Sequence, residues 1–230
     1  MVKLAAFDLD STLAGLGKGV PYEVVGLLRQ LEQMGTRIAL CSGKSVDYLC
    51  GLMRQIELNH PILMGENGAV IQLGVDLPPK DFHILPYSDT ARESIARLRR
   101  EITRRLPHIW FQADMVGITP FPVTDEEFDI VTQCIDDCNL QDVDIYRHCD
   151  SFDIVPKGTS KGRGLEFICE LLNIDLSQTA TIGDGVNDYP MFDAAGIALG
   201  VNVLNKSRVD RDFTSASEAI QYLMKNCGIF

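Results

Sequence analysis

The stretch that most restricts this chain lies at its start. Leu4-Ala5-Ala6-Phe7-Asp8-Leu9-Asp10-Ser11-Thr12-Leu13 is a short apolar run ending in two carboxylates and two hydroxyls. Apolar residues without alternation, cut off abruptly by polar ones, read as a strand buried on both faces of a parallel sheet. Open α/β sheets carry their sites at the carboxyl ends of such strands. Asp8 and Asp10 are two apart, so on a continuing strand they share a face. Carboxylates held together repel unless a proton or a cation sits between them, which points to a divalent metal. Taken alone, the stretch is equally consistent with a solvated turn.

Three later segments supply what phosphoryl transfer to an aspartate needs. Ile38-Ala39-Leu40-Cys41-Ser42-Gly43 is a second apolar run, ending in a hydroxyl and a glycine whose backbone can approach a phosphate oxygen. Ser160-Lys161-Gly162 opens a helical pattern through Leu165, Ile168, Leu171 and Leu172, and a lysine there can set a point charge on a phosphate. Thr179-Ala180-Thr181-Ile182-Gly183-Asp184-Gly185-Val186-Asn187-Asp188 runs from a strand into a glycine turn with two more carboxylates. Oxygen-only ligands of this kind suit Mg²⁺.

In order and spacing these segments resemble the haloacid dehalogenase superfamily of phosphohydrolases, from the start of the chain to about residue 190. The DxDx[TS] signature is matched by Asp8-Leu9-Asp10-Ser11-Thr12 and the GDxxND motif by Gly183 to Asp188, with Ser42 and Lys161 as the hydroxyl and lysine motifs. The resemblance implies Asp8 as nucleophile and Asp10 as general acid and base. It implies a phosphate held by Ser42, Gly43, Lys161 and Asn187. It also implies Mg²⁺ bound by Asp8, the Asp10 carbonyl and Asp184, with Asp188 supporting the metal. Two positions depart from the common pattern, Ser11 where glycine is frequent and Ser42-Gly43-Lys44 in place of Thr-Gly-Arg.

Composition fits a soluble enzyme. The 230 residues, 46% of them hydrophobic, suffice for a core domain plus a smaller unit. A formal net charge of -11 argues against nucleic acid or an anionic membrane as partner. No stretch reaches the roughly 18 apolar residues of a spanning helix. The first motif follows Met1-Val2-Lys3 directly, leaving no room for a signal peptide. Seven irregularly spaced cysteines do not form a disulfide pattern, so the cytosol is expected.

Between the motifs, Gly15, Gly17 and Gly19 suggest a dinucleotide loop, but position 20 is Val20, and a flexible loop fits better. Pro21 to Met34 is an amphipathic helix ended by Gly35. Ser42-Gly43-Lys44-Ser45 has the ending of a P-loop without its first glycine, and Val46 to Leu58 reads as a helix capped by Ser45. Pro61 to Ile71 is a pair of short apolar runs around Glu66-Asn67-Gly68, resembling the ENGA segment of superfamily subfamily IIB and given no catalytic role. After Asp188 a short helix, the Ile197-Ala198-Leu199-Gly200 run and a last helix near Glu218 to Lys225 complete a doubly wound α/β sheet.

From residue 78 to 150 the texture changes to two helices, Asp89 to Leu106 and Asp125 to Cys138, among strand-like runs at 109–121 and 143–148. This resembles an inserted α+β cap of the C2 type, with residues 1–77 and 151–230 as the catalytic core. Its small size is similar to that of archaeal-type phosphoglycolate phosphatases rather than Cof-type sugar phosphatases. The first helix is arginine-rich, but interleaved Glu93 and Glu101 make it a solvated face. Cys134 and Cys138 share a helical face near His148 and Cys149, which invites a zinc reading; buried free thiols fit the spacing better. Arg147 and His148 remain candidates to meet a substrate from the cap.

The function expected from all this is Mg²⁺-dependent hydrolysis of a small organic or sugar phosphate monoester through an aspartyl phosphate. Phosphomutase chemistry and mannosyl-phosphoglycerate or sucrose-phosphate hydrolysis are the nearest alternatives. A receiver-like regulatory module shares acceptor aspartate, hydroxyl, lysine and metal-binding acids. Asp10 separates the two, because a switch that keeps its aspartyl phosphate has no use for an acid-base carboxylate beside it.

Overall fold

Alternation along the first strand explains how the fold is layered. The computed structural model describes residues 1–226. Its first half runs β1 (Leu4–Asp8), α1 (Tyr22–Gln33), β2 (Arg37–Cys41), α2 (Val46–Ile56), β3 (Ile62–Gly65), β4 (Val70–Leu73) and β5 (Asp81–Ile84). Then come α3 (Asp89–Arg105), β6 (Trp110–Phe111), β7 (Pro120–Phe121), α4 (Asp125–Asp137), β8 (Val143–Arg147) and β9 (Phe152–Pro156). The chain ends with α5 (Lys161–Leu172), β10 (Thr179–Gly183), α6 (Tyr189–Ala194), β11 (Ile197–Val201), β12 (Arg211–Phe213) and α7 (Ala216–Asn226).

One eight-stranded sheet has the order β12-β11-β10-β1-β2-β3-β4-β5, parallel from β12 to β3 and antiparallel over the last two strands. Ala5 and Phe7 of β1 join a core with α1, α2 and α7, whereas Leu4 and Ala6 join a second core with α5 and α6. The doubly wound arrangement follows from that parity, since each strand residue has an apolar helix above or below it. Asp8 has the parity of Leu4 and Ala6 and therefore faces the side covered by α5. Complete burial of Phe7, Leu40 and Ile182 contributes about 1.5–3 kcal/mol each.

A third core lies away from the sheet. Ile95, Leu98, Ile102 and Leu106 of α3 and its C-cap meet Val131 and Cys134 of α4, with Ile118, Phe152 and Ile154 beneath them. Outside this core, Arg104 and Arg105 pair with Glu101 and Arg105 also with Asp137, as a solvated face does. Beneath this core lie two separate antiparallel pairs, β6–β7 and β8–β9, bridged by reciprocal 3.0 Å bonds between Ile118 and Ile154. Pro120 has no N–H to extend the ladder.

The edges of the inserted unit differ from those read in the sequence. β5, beyond residue 77, still belongs to the large sheet, and β9, beyond residue 150, pairs with β8 rather than returning to it. The five residues of β9 are all buried, which makes the segment look like a central strand of the parallel sheet. The α1, α3, α4 and α5 helices appear within a residue or two of expectation. Ser45 precedes α2 as expected, but its side chain makes no capping bond. The last helix, expected near Glu218 to Lys225, extends through Asn226.

Candidate active site

Three parallel strand tips and one helix start converge. Asp8 ends β1, Ser42 follows β2, Asp184 follows β10, and Lys161 opens α5 behind the N-cap Ser160, whose hydroxyl accepts from the Arg163 N–H at 3.2 Å. Pairing of β1 with both β2 and β10 sets these tips side by side.

The Lys161 ammonium, fully buried, donates to Asp8 Oδ1 and Asp188 Oδ1, both at 2.5 Å. Asp188 Oδ2 accepts from the Asp184 and Gly185 N–H groups at 2.9 Å each, so both its oxygens organise the lysine and the acidic turn. Thr12 Oγ1 donates to Asp184 Oδ1 at 2.8 Å. One oxygen from each of Asp8, Asp184 and Asp188 lies within 4.8 Å of the others.

Electrostatics explains why this cluster calls for more positive charge. Burial pushes the Asp8 carboxyl up to about 8, with Asp188 adding to the rise and Lys161 opposing it. Burial likewise raises Asp184. Desolvation pulls Lys161 down, but Asp188 and Asp8 outweigh it and hold the lysine well above its ordinary value. A single ammonium thus faces three carboxylates. An all-oxygen donor set of this kind fits a small hard dication, which Asp8, Asp184 and Asp188 could hold.

β1 ends at Asp8, and Ser11 turns the chain with φ 65°, its N–H bonded to the Ala14 carbonyl at 2.7 Å. Glycine would adopt that left-handed conformation without the steric cost that Ser11 carries. Asp10 Oδ2 lies 3.4 Å from Lys44 Nζ, and the Asp10 side chain is 27% exposed, against 8% for Asp8. One carboxylate is thus buried against a lysine and the other is partly open to water.

Ser42 is buried, with its Oγ accepting from the Lys44 N–H at 3.2 Å. Asn187 is half-buried, its Oδ1 lying against the Gly185 backbone. Gly43 is hemmed in, since a Cβ there would lie 2.8 Å from Asp153 Oδ2 and 3.3 Å from Asn67 Nδ2. Gly43→Ala is therefore expected to cost about 1–3 kcal/mol through overpacking. A thermal melt unchanged to within a degree would show that Asp153 and Asn67 yield freely.

Of the two candidates beyond the sheet, Arg147 lies over the Phe128 and Phe152 rings, in the third core. His148 sits at the junction with the site, its Nε2 3.2 Å from Asp153 Oδ2, and that bond raises its pKa while Lys44 nearby lowers it. Cys134 is buried in the third core and Cys138 packs against it, while Cys149 is exposed. Among the described residues, Asp8, Asp184 and Asp188 are the one group of side chains gathered closely enough to hold a metal.

The family model of haloacid dehalogenase-like hydrolases matches residues 5–81 and 118–208. The chain belongs to that family. Among its relatives is a phosphoglycolate phosphatase of Methanopyrus kandleri, 27% identical over 201 residues that cover 86% of this chain and 84% of the relative. A phosphoglycolate phosphatase of Thermoplasma acidophilum is 24% identical over 94% of this chain and 92% of its own. A haloacid dehalogenase-like hydrolase from Bacteroides thetaiotaomicron has the same fold, with a TM-score of 0.79 at 18% identity over 97% of this chain and all of that one. So does a subclass IIB sugar phosphatase, with a TM-score of 0.70 at 20% identity over the full length of both.

Sequence reasoning missed Gln112 and Asp114 in this hydrolase. Gln112 Nε2 donates to the Gly43 carbonyl at 2.9 Å and to Asp114 Oδ1 at 2.5 Å. Burial pushes the Asp114 carboxyl up to about 6, helped by Glu66 nearby, while Gln112 pulls it down. Nothing in Gln112-Ala113-Asp114 marks it in advance, because its link to Gly43 spans 69 positions.

Proposed function

We propose that the protein is a Mg²⁺-dependent phosphatase of small phosphate monoesters that works through a phosphorylated Asp8. The observation that carries this reading is the division of labour between two neighbouring aspartates. Asp8 is buried and oriented by Lys161, as a nucleophile must be, while Asp10 stands apart with access to water. An Asp8 oxygen attacks phosphorus as the ester oxygen departs, and Asp10 gives that oxygen a proton; Asp10 then takes a proton from water as it attacks the aspartyl phosphate. Lys161, Ser42 and Gly43 stabilise the transferring group. A bound Mg²⁺ would supply charge neutralisation for the phosphoryl oxygens at Asp8, Asp184 and Asp188.

The unit made of α3, α4 and β6–β9 is the cap in this reading, and it meets the departing part of the substrate. Relatives named phosphoglycolate phosphatase support a small anionic ester. Free buried thiols at Cys41, Cys50 and Cys134 support a cytosolic setting.

The reading is tested by acid quench of the enzyme during turnover of ³²P-labelled ester with Mg²⁺. Label bound to protein and released by hydroxylamine is the expected result, and its absence during active turnover would exclude the covalent route. Asp10→Asn is expected to slow hydrolysis of an alkyl phosphate by about 10²–10⁴-fold. The loss in kcat/KM, which reports only the steps up to the aspartyl phosphate, should shrink with an activated aryl phosphate, whose leaving group needs no proton. Equal losses in kcat/KM with both esters would assign the acid role elsewhere.

A further inference from the structure

Glu66 was given no role by the motifs, yet its carboxylate is buried and fully engaged across the molecule. Its Oε1 accepts from the Met115 N–H at 2.7 Å, and its Oε2 accepts from the Val116 and Gly117 N–H groups at 2.8 and 3.0 Å. Three consecutive backbone donors from the inserted unit thus point into one side chain of the large sheet. Charge-assisted bonds of this kind are about twice as strong as neutral ones.

The turn that carries Glu66 is tied to the catalytic strand tips. The Glu66 N–H donates to the Lys44 carbonyl at 2.9 Å and the Asn67 N–H to the Ser42 carbonyl at 3.0 Å. A Cβ on Gly68 would lie 2.4 Å from the Ser160 carbonyl, directly before Lys161. Asn67 Nδ2 adds a second link to the inserted unit, donating to Asp153 Oδ2 at 2.8 Å. Glu66 and Asn67 both hold left-handed backbone, φ 50° and 54°, a conformation that side-chain-bearing residues keep only where the surroundings impose it.

We propose that Glu66 is a positioning residue, a carboxylate clamp that fixes the 112–117 loop over Ser42–Lys44 and so sets the surface met by the departing part of the substrate. The clamp rests on the phosphatase reading only for its effect on catalysis, since the bonds themselves can be tested without turnover. Glu is required because both oxygens accept. In Glu66→Gln an NH₂ must face an N–H donor on one side, which breaks part of the set while conserving volume.

The test combines amide hydrogen exchange with kinetics on Glu66→Gln. The amides of residues 115–117 are expected to exchange at least tenfold faster than in the natural protein, with those of β1 and β10 unchanged. KM for phosphoglycolate should rise about tenfold or more, while kcat for p-nitrophenyl phosphate, which offers the cap little to grip, stays within about threefold. Unchanged exchange at 115–117 would overturn the clamp. Faster exchange with equal losses on both esters would reduce Glu66 to a purely structural residue. If the natural protein hydrolyses neither ester, the phosphatase reading falls and the exchange data decide the clamp by themselves. Should Glu66→Gln not be recovered folded, Glu66→Asp, which withdraws the charge by one methylene, gives the same readouts.

Discussion

Asp8→Asn is expected to keep the fold and lose turnover by on the order of 10⁶-fold, the scale seen when a covalent nucleophile is removed from a hydrolase. An amide nitrogen or oxygen at this position cannot form the aspartyl phosphate. The fold survives because Asp8 is not a favourable charge where it sits. Burial already pushes its carboxyl up to about 8, and Asp188 and Asp184 add repulsion. Replacing it with a neutral side chain of the same shape removes that repulsion, and the amide oxygen still accepts from Lys161. The melting temperature of the variant, measured without added divalent ions, should equal or exceed that of the natural protein. Single-turnover experiments check the other half, and residual activity above about 10⁻³ of the natural rate in a purified, folded variant would overturn the assignment of Asp8.

Lys161→Met has the second largest effect, and here activity and stability fall together. Lys161 is the ammonium bonded to both Asp8 and Asp188, and it is wholly excluded from solvent. Removing one member of a buried ion network costs about 3–5 kcal/mol, because the remaining charges are left without a partner. Loss of a preorganised cationic donor to the phosphoryl group costs about 10²–10³-fold in kcat besides. The pH dependence has a definite sign. Asp8 is already raised in the folded state by burial, and Lys161 is what opposes the rise. A carboxyl whose folded pKa lies above its unfolded value, about 4, stabilises the fold below that value and loses the contribution as pH rises through the folded one. Without Lys161 the rise is larger, so the Asp8 contribution to the stability gap between variant and natural protein should stay constant up to about pH 8 and widen above it. Urea titrations at about pH 7 and about pH 9.5 measure it. A gap that narrows with pH would mean that Lys161 does not compensate these acids.

The candidate site groups were legible because their signals are local. An apolar run that stops at a carboxylate identifies a buried strand and its tip within a few residues, and the sheet pairings of β1 then follow from the doubly wound pattern. The surroundings of Asp10 were less legible, because β1 ends at Asp8 and the two aspartates have different neighbours and different access to water. Phe152 to Pro156 carries a related ambiguity. A strand buried on both faces looks the same whether its partners lie in the large sheet or, as here, in β8.

Local patterning alone singled out the candidate groups Asp8, Asp10, Ser42, Lys161 and Asp184 and the kind of sheet that carries them. What only the tertiary structure decided was the junction between the two halves of the molecule. Glu66 reaches Met115 across 49 positions, Gln112 reaches Gly43 across 69, and Asn67 reaches Asp153 across 86. Such contacts leave no trace in periodicity or spacing, because a single polar side chain bonding to distant backbone needs only the right type and the right place. The fold supplies the place.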